Sequence, residues 1–360
     1  MIPTSTGGPR RILVRANNWI GDVVMISPSL KALRETYPEA TIEVVARPHV
    51  ADCFAAHPWV DGVVLHEPAG RHRGALGLLR FAAELRARRY DMAVLFQKAF
   101  GAALMAWLAR VPRRVGHATD RRAALLTDAI APSPGVDQLH HVEYFFQVAR
   151  AAGCPPGDLP RRVYFHPGED GRAFAGSFLS DHRASRFPFL AAFATGASKA
   201  PRAWHAERFA ELARGLVRDH GAGIVVLGGP SDRDEASRVL EAAGSHGLDA
   251  VGRTSVRGMA ALMERCRVFV GNDSGPMHLA AALDVPVLAL FGPGTPVRTA
   301  PYMPPHRYVA LTNNYPCSPC RQDFFKECEP AASGKPMCLE SIDARRAAAA
   351  LNDLLSRSNA

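Results

Sequence analysis

The sequence predicts an α/β protein made of two doubly wound, parallel-sheet domains. Three observations carry that expectation. Short aliphatic runs alternate with helical patterns along the chain, as βαβ units require. The alternation breaks at a polar, glycine-containing stretch, 166–188, and then restarts. A length of 360 residues also exceeds what one hydrophobic core ordinarily organises.

The first series places strands at Ile12–Val14, Ile42–Ala46, Gly62–Leu65 and Met92–Phe96. Between them, Ser27-Pro28 starts or interrupts a helix that carries Leu30, Leu33 and Tyr37 on one face. The second series places strands at Phe189–Thr195, Ile224–Leu227, Val268–Val270 and Val285–Phe291. The expected domains are therefore 1–175 and 186–340, followed by a last helix at about Asp343–Arg357. No short repeat and no low-complexity segment interrupts the pattern.

Composition narrows the function classes. A chain that is 48% hydrophobic and 21% charged suits a globular fold. It contains no uncharged apolar stretch of about 20 residues, so a membrane-spanning helix is not expected. The first eleven residues lack the ~7–15-residue apolar core of a signal peptide, which predicts a cytoplasmic protein. The net charge of +9 comes mainly from arginines spread along helices such as Leu79–Arg89. No dense basic block with interleaved aromatics is present, so nucleic acid is not an expected partner. An anionic inner-leaflet surface or a phosphorylated, carboxylated acceptor accounts better for the sign.

The most informative stretch is 270–278, Val-Gly-Asn-Asp-Ser-Gly-Pro-Met-His. An apolar run enters it and a helical run, Leu279–Leu283, leaves it, which predicts strand, tight turn and helix N-terminus. Such a helix end presents unpaired N–H groups and about half a positive charge, a ready site for an anion. Gly275 lets a ligand approach the backbone, and Pro276 fits a first helical turn, where its missing N–H is harmless. Asp273, Ser274 and His278 add polar groups at the same point. Taken alone, the stretch also reads as an ordinary, well-capped βα turn.

Two more segments make the same kind of site. Arg11–Arg15 is a short strand followed by a polar turn that sets Asp22 at the strand's carboxyl end, where open parallel sheets collect ligands. The segment Ala194–Trp204 follows the strand-like run Phe189–Phe193. It offers the hydroxyls of Thr195 and Ser198 and the cations Lys199 and Arg202 just before a helix. Lys199 stands out because only five of the 43 Lys and Arg residues are lysine.

In order and spacing, Asn18-Trp19-Ile20-Gly21-Asp22-Val23-Val24-Met25, the segment ending at Trp204, and Asp273-Ser274-Gly275-Pro276-Met277-His278 resemble the ADP-heptose:lipopolysaccharide heptosyltransferases, glycosyltransferase family 9. The resemblance runs from about residue 11 to about residue 355. The opening segment and His141-Val142-Glu143-Tyr144-Phe145 are more similar to enzymes adding the second inner-core heptose than to those adding the first. The resemblance implies the GT-B architecture, two Rossmann-like domains facing a central cleft. The N-terminal domain would bind acceptor, the C-terminal domain nucleotide sugar, and the last helix (341–360) would return to the N-terminal domain. The implied reaction is inverting transfer of L-glycero-D-manno-heptose from ADP-heptose to heptosyl-Kdo-lipid A. The implied location is the cytoplasmic face of the inner membrane, as a peripheral protein.

The resemblance also assigns roles. Asp22 is the expected general base, with capping of the following helix as its alternative use. Donor-binding residues are expected at Thr195, Ser198, Lys199, Arg202, Asp232, Asp273, Ser274, Gly275, Pro276, Met277 and His278, with Asp232 as the ribose contact. One departure is notable. Members of the family carry Lys two residues before Trp, where this chain has Arg202. Arginine keeps the charge and binds phosphate in a fork, so Arg202 is the expected main diphosphate contact and Lys199 the alternative. Arg110, Arg113, Arg114, Arg121 and Arg122, with Arg71-His72-Arg73, form candidate clusters for an anionic acceptor or ordinary solvated charge.

No cofactor is expected, because helix N-termini and cations replace a metal in stabilising the diphosphate. Seven cysteines make no disulfide framework in a reducing compartment. Four of them, Cys317, Cys320, Cys328 and Cys338, cluster late, and free thiols or a structural zinc or iron–sulfur site both fit that spacing. Other readings are a first-heptose enzyme, a family-9 enzyme of different donor or acceptor, a non-catalytic nucleotide-sugar-binding protein, and a sugar-nucleotide epimerase. Asp22 beside a complete Asp273–His278 segment argues against a mere binder, since binding needs no base.

Overall fold

The computed structural model describes residues 8–357 apart from 133, 134, 156, 158, 318, 319 and 321–323. The chain divides into two compact units, Met1–Pro160 and Arg161–Ala360.

Unit 1 runs β1 (Arg11–Arg15), α1 (Ile20–Met25), α2 (Ser27–Thr36), β2 (Thr41–Ala46), α3 (Pro48–Ala51), β3 (Gly62–Leu65), α4 (Gly74–Ala87), β4 (Met92–Leu95), α5 (Phe100–Leu108), β5 (Arg113–His117), β6 (Asp128–Ile130) and α6 (His141–Ala152). Its strands form one parallel sheet in the order β3-β2-β1-β4-β5-β6. The central strands are covered on both faces, which is why Ile12-Leu13-Val14 and Met92-Ala93-Val94-Leu95 are continuous apolar runs without alternation. The helical break expected at Ser27-Pro28 is present: α1 ends at Met25, α2 restarts at Ser27, and Ser27 Oγ donates to Val24 O (2.6 Å).

Unit 2 runs α7 (Gly168–Asp181), β7 (Leu190–Ala194), α8 (Ala206–His220), β8 (Gly223–Leu227), α9 (Arg233–Ala243), β9 (Gly247–Asp249), α10 (Val256–Met263), β10 (Val268–Asn272), α11 (Gly275–Ala282), β11 (Val287–Leu290), α12 (Pro296–Thr299), β12 (Tyr308–Leu311), α13 (Met337–Glu340) and α14 (Ala344–Arg357). Its parallel sheet has the order β12-β11-β10-β7-β8-β9. Counted from its own first strand, this is the order of unit 1 again. Each unit is therefore a Rossmann-like sheet, and the strand order reverses between β1 and β4 and between β7 and β10. Ligands of open α/β sheets bind beyond the carboxyl ends of the strands at such reversals.

Two expectations about boundaries are corrected. The stretch 166–188 is not a linker: it contains α7, which packs on α10 so closely that a Cβ at Gly171 would lie 2.8 Å from Arg257 O. Arg172 makes a forked ion pair with Glu264, both bonds 3.0 Å. The units consequently divide at Pro160–Arg161, before α7 rather than after its start. The last helix also differs from expectation. Ala347, Leu351, Leu354 and Leu355 of α14 belong to the core of unit 2, packed with Leu212, Leu216, Leu288 and Leu290. Its apolar stripe is buried there, on α8 and the β11–β12 edge. No helix among the described residues is long and apolar enough to cross a membrane.

Leu354 is fully buried in that cluster. Leu354→Ala is expected to lower the unfolding free energy by about 2–5 kcal/mol, the usual range for such a cavity. Urea denaturation measures it, and a loss below about 1 kcal/mol would contradict a core position for α14.

Candidate active site

At the strand-order reversal of unit 2, one buried side chain ties two loops together. Asn272 closes β10 and is completely buried. Its Nδ2 donates to Thr195 O (2.7 Å) and Gly196 O (3.3 Å) in the loop after β7. Its Oδ1 accepts the backbone N–H of Trp204 (2.9 Å), at the far end of the same loop. Trp204 is itself pinned, with Nε1 donating to Ile342 O (3.0 Å) and its ring edge-on to Phe209. The sequence reading had not singled out Asn272. Its signal was there: a polar residue ending an apolar strand directly before Asp-Ser-Gly.

Asp273 follows, 4% exposed. Arg202 Nη2 donates to Asp273 O (2.8 Å) and forms an ion pair with its carboxylate. Burial pushes the Asp273 carboxyl upward, while Arg202 and a hydrogen bond from Thr299 pull it back. The space around it is tight: a Cβ at Gly294 would lie 2.1 Å from Asp273 Oδ2. Arg202 is thus held by Asp273, whereas Lys199 lies exposed in the same loop with no ion pair among the described residues. The Lys199 ammonium sits 5.2 Å above the Phe324 ring. The ion pair commits Arg202 to Asp273 and leaves Lys199 as the exposed cation of the loop.

The remaining donor candidates gather at the same edge. Ser274 is the extended N-cap of α11, and Pro276 lies in the first turn. The eight-residue helix directs its positive end to this point. Ser198 is exposed, and Thr195 is buried with its hydroxyl unpartnered among the described residues. Asp232 accepts the Gly229 N–H (2.8 Å) and reaches the loop after β7 so closely that a Cβ at Gly196 would lie 2.2 Å from its Oδ1. Met277 and His278 are buried in the first turn of α11, so Met277 packs in the core instead of lining an open surface.

In unit 1, Asp22 lies in the first turn of α1, just past the carboxyl end of β1 and at that sheet's own reversal. It is half-buried, and no side chain caps α1 at Trp19.

The arginine cluster proposed for an acceptor is largely structural. Arg122 is fully buried, with Nε donating to His117 O (2.9 Å) and Nη1 to Gln97 O. Arg113 bridges Asp128 (3.1 Å) and Ala151 O (2.8 Å), and Arg114 Nε donates to Leu125 O (2.7 Å). Arg71 pairs with Glu67 (2.7 Å). Of the arginines expected at the acceptor, Arg73, Arg110 and Arg121 stay exposed and uncommitted among the described residues; Arg110 and Arg121 have a left-handed backbone, φ 57° and 56°.

All seven cysteines are free thiols. Burial, with Asp52 adding to it at Cys53, raises the Cys53 thiol to about 12, and burial alone raises Cys266 to about 12. The late four lie close enough to act on one another. Cys317 is raised by burial and by Cys328 and Cys320, and Cys338 is raised to about 11 by burial and by Cys317 and Cys320. Among the described residues no group of three or more His, Cys, Asp or Glu side chains is arranged to hold a metal ion.

Sequence and fold comparisons decide the family. Residues 78–328 match the description "Glycosyltransferase family 9 (heptosyltransferase)". The chain belongs to glycosyltransferase family 9. A similar relative is lipopolysaccharide heptosyltransferase 2 of Salmonella typhimurium, 30% identical over 318 residues, which cover 85% of this chain and 89% of the relative. The fold is similar to that of Escherichia coli ADP-heptose lipopolysaccharide heptosyltransferase II, with TM-score 0.78 and 25% identity over 97% and 100% of the two chains. It is also similar to Escherichia coli heptosyltransferase WaaC solved with ADP-2-deoxy-2-fluoro heptose, with TM-score 0.67 and 20% identity over 95% and 99%. The protein is accordingly a family 9 glycosyltransferase, and its two six-stranded sheets match the GT-B heptosyltransferase structures.

Gly196→Ala forces the Asp232 carboxylate out of its place. ADP affinity is expected to fall about tenfold, equivalent to about 1.4 kcal/mol, by titration calorimetry. Unchanged affinity would remove Asp232 and its loop from the nucleotide site.

Proposed function

We propose that the protein transfers L-glycero-D-manno-heptose from ADP-heptose to the heptosyl-Kdo-lipid A inner core of lipopolysaccharide, with inversion. The observation that carries the donor half is the locked pair of loops at the unit 2 reversal. Asn272 holds the Thr195–Trp204 loop against the N-terminus of α11, leaving an exposed ammonium, Lys199, beside a positive helix end. A diphosphate suits that arrangement, and the ADP-sugar analogue held by the structurally similar WaaC supports it. The similarity to heptosyltransferase 2 supports the acceptor.

In the proposed reaction an acceptor hydroxyl attacks the anomeric carbon of the heptose while the bond to the ADP oxygen breaks. Asp22 takes the hydroxyl proton. Lys199 and the N-terminus of α11 stabilise the charge that develops on the diphosphate, usually the largest catalytic contribution in such a step. Arg202 acts one layer back, holding Asp273 and the turn in place. No bound metal takes part. The enzyme works at the cytoplasmic face of the inner membrane as a peripheral protein, where its basic surface meets anionic lipid.

Purified protein incubated with ADP-heptose and defined truncated lipid acceptors, read by mass spectrometry, tests the reaction. Asp22→Asn is expected to keep ADP affinity while transfer falls by about two or more orders of magnitude, the usual scale of a lost general base. Turnover like that of the wild type would remove Asp22 from the mechanism. Chelation is expected to leave initial rates unchanged. A chelator that abolishes transfer without moving the melting transition would overturn the metal-free mechanism.

A further inference from the structure

The carboxyl edge of the unit 1 sheet gathers positive charge away from Asp22's proposed role as base. Arg15 ends β1, Arg47 follows the end of β2, and His66 follows the end of β3. The register sets these ends side by side: Arg15 pairs with Val45, Ala46 pairs with Leu65, and His66 N donates to Ala46 O (2.9 Å). Arg15 is 2% exposed, yet among the described residues no carboxylate pairs with it. Its fork is used on Ala16 O, Val45 O (3.2 Å) and Asn18 Oδ1 (3.1 Å), and its Nε is buried without a partner. The Nε of Arg47 is likewise buried and, among the described residues, unpartnered.

The neighbours add to the imbalance. His66 stacks on Phe81 (4.6 Å) and on the buried His72 (5.7 Å). Burial, then Arg15, His72 and Arg47, lower His66 to about 4, so its ring is neutral near pH 7. Burial and Arg47 likewise lower Arg15, to about 9. The nearby carboxylates are directed elsewhere: Glu67 pairs with Arg71 (2.7 Å), and Glu84 lies 3.5 Å from His72 Nε2. Two guanidiniums repelling each other in a poorly solvated setting are stabilised by an oxyanion, which also takes charge-assisted hydrogen bonds from them.

We propose that Arg15, Arg47 and His66 form an oxyanion pocket that recognises a phosphate or carboxylate group on the acceptor. Arg47 makes the direct contact, Arg15 supplies the buried charge behind it, and His66 closes the side. The pocket accounts for recognition of an anionic acceptor, whereas Arg113, Arg114 and Arg122 spend their donors within the fold. It rests on the reading of this enzyme as one with an anionic acceptor.

Arg47→Gln and Arg47→Lys test it, Arg47 being the least buried guanidinium of the two. In steady-state transfer, Arg47→Gln is expected to raise the acceptor KM roughly tenfold or more, the scale of a lost bond to a charged group. The ADP-heptose KM and the melting temperature stay the same, and Arg47→Lys recovers part of the loss. Acceptors with and without phosphate distinguish the two anions: a gap that disappears on dephosphorylation assigns phosphate, and one that persists assigns carboxylate. A second arm does not depend on transfer. With saturating ADP on the donor site, inorganic phosphate is titrated while the imidazole resonance assigned through His66→Gln is followed. Phosphate is expected to raise the His66 pKa in the wild type and not in Arg47→Gln. An unchanged acceptor KM overturns the acceptor role, and a His66 signal indifferent to phosphate overturns the pocket. If the wild type transfers heptose to no acceptor, the functional reading fails while the phosphate titration still decides the pocket.

Discussion

The three hydrogen bonds of Asn272 are the constraint on which the donor side of this enzyme depends. A side-chain amide buried this completely has to find partners for both its ends, because an unmet polar group in the core is strongly unfavourable. Here those partners are the two ends of one loop, Thr195–Gly196 and Trp204. The loop is therefore fixed to the strand that feeds α11, and the helix end, Asp273 and the exposed Lys199 keep a common frame. Trp204 extends the constraint to the C-terminal segment through Ile342, and α14 fills the space beneath. The carboxyl edge of the sheet and the hydrophobic core of unit 2 are thus one packed object.

The exchange of lysine for arginine before Trp204 is understandable in the same terms. A guanidinium carries several donors in a plane and can bond a backbone carbonyl and a carboxylate at once. Arg202 does so with Asp273, and in satisfying that buried acid it ceases to be an exposed cation. An ammonium at this position would have one point of charge to offer and would leave either the acid or a diphosphate less well served. Lys199 stands three residues earlier in the loop, outside the ion pair. Arg202 neutralises Asp273, and Lys199 keeps its charge exposed.

Much of this was legible in the sequence, and what was not has identifiable physical reasons. The central strands β1, β2, β4, β7, β8, β10 and β11 are buried on both sides, so each announces itself as an aliphatic run. The strands β5, β6, β9 and β12, all but β5 at a sheet edge, carry residues such as Arg113, Asp128, Asp249 and Tyr308, are short or half-solvated, and give no such run. The apolar stripe of α14 was visible as periodicity, but a stripe names no partner, and only the packed core shows that unit 2 receives it. The site motifs were readable because strand, turn and helix follow one another at each. Asn272 was passed over since its importance lies in carbonyls some seventy residues away.

The arginines show the hardest limit on such reading. A chain with 38 arginines offers many apparent clusters, and sequence alone gives each guanidinium the same charge. What separates them is where the donors go. Arg113, Arg114 and Arg122 meet carbonyls and an acid of their own unit, so their charge is absorbed into the fold. Arg15 also meets carbonyls, but it lies beside Arg47 at the ends of neighbouring strands, and neither makes an ion pair among the described residues. Structural arginines satisfy backbone oxygens, which lowers the desolvation penalty without removing the positive field. A like-charged neighbour at a strand's carboxyl end keeps that field directed toward the surface where parallel sheets take their ligands. Compensation by nearby acids, more than exposure, is what distinguishes a guanidinium available to an anion from one that only holds the fold together.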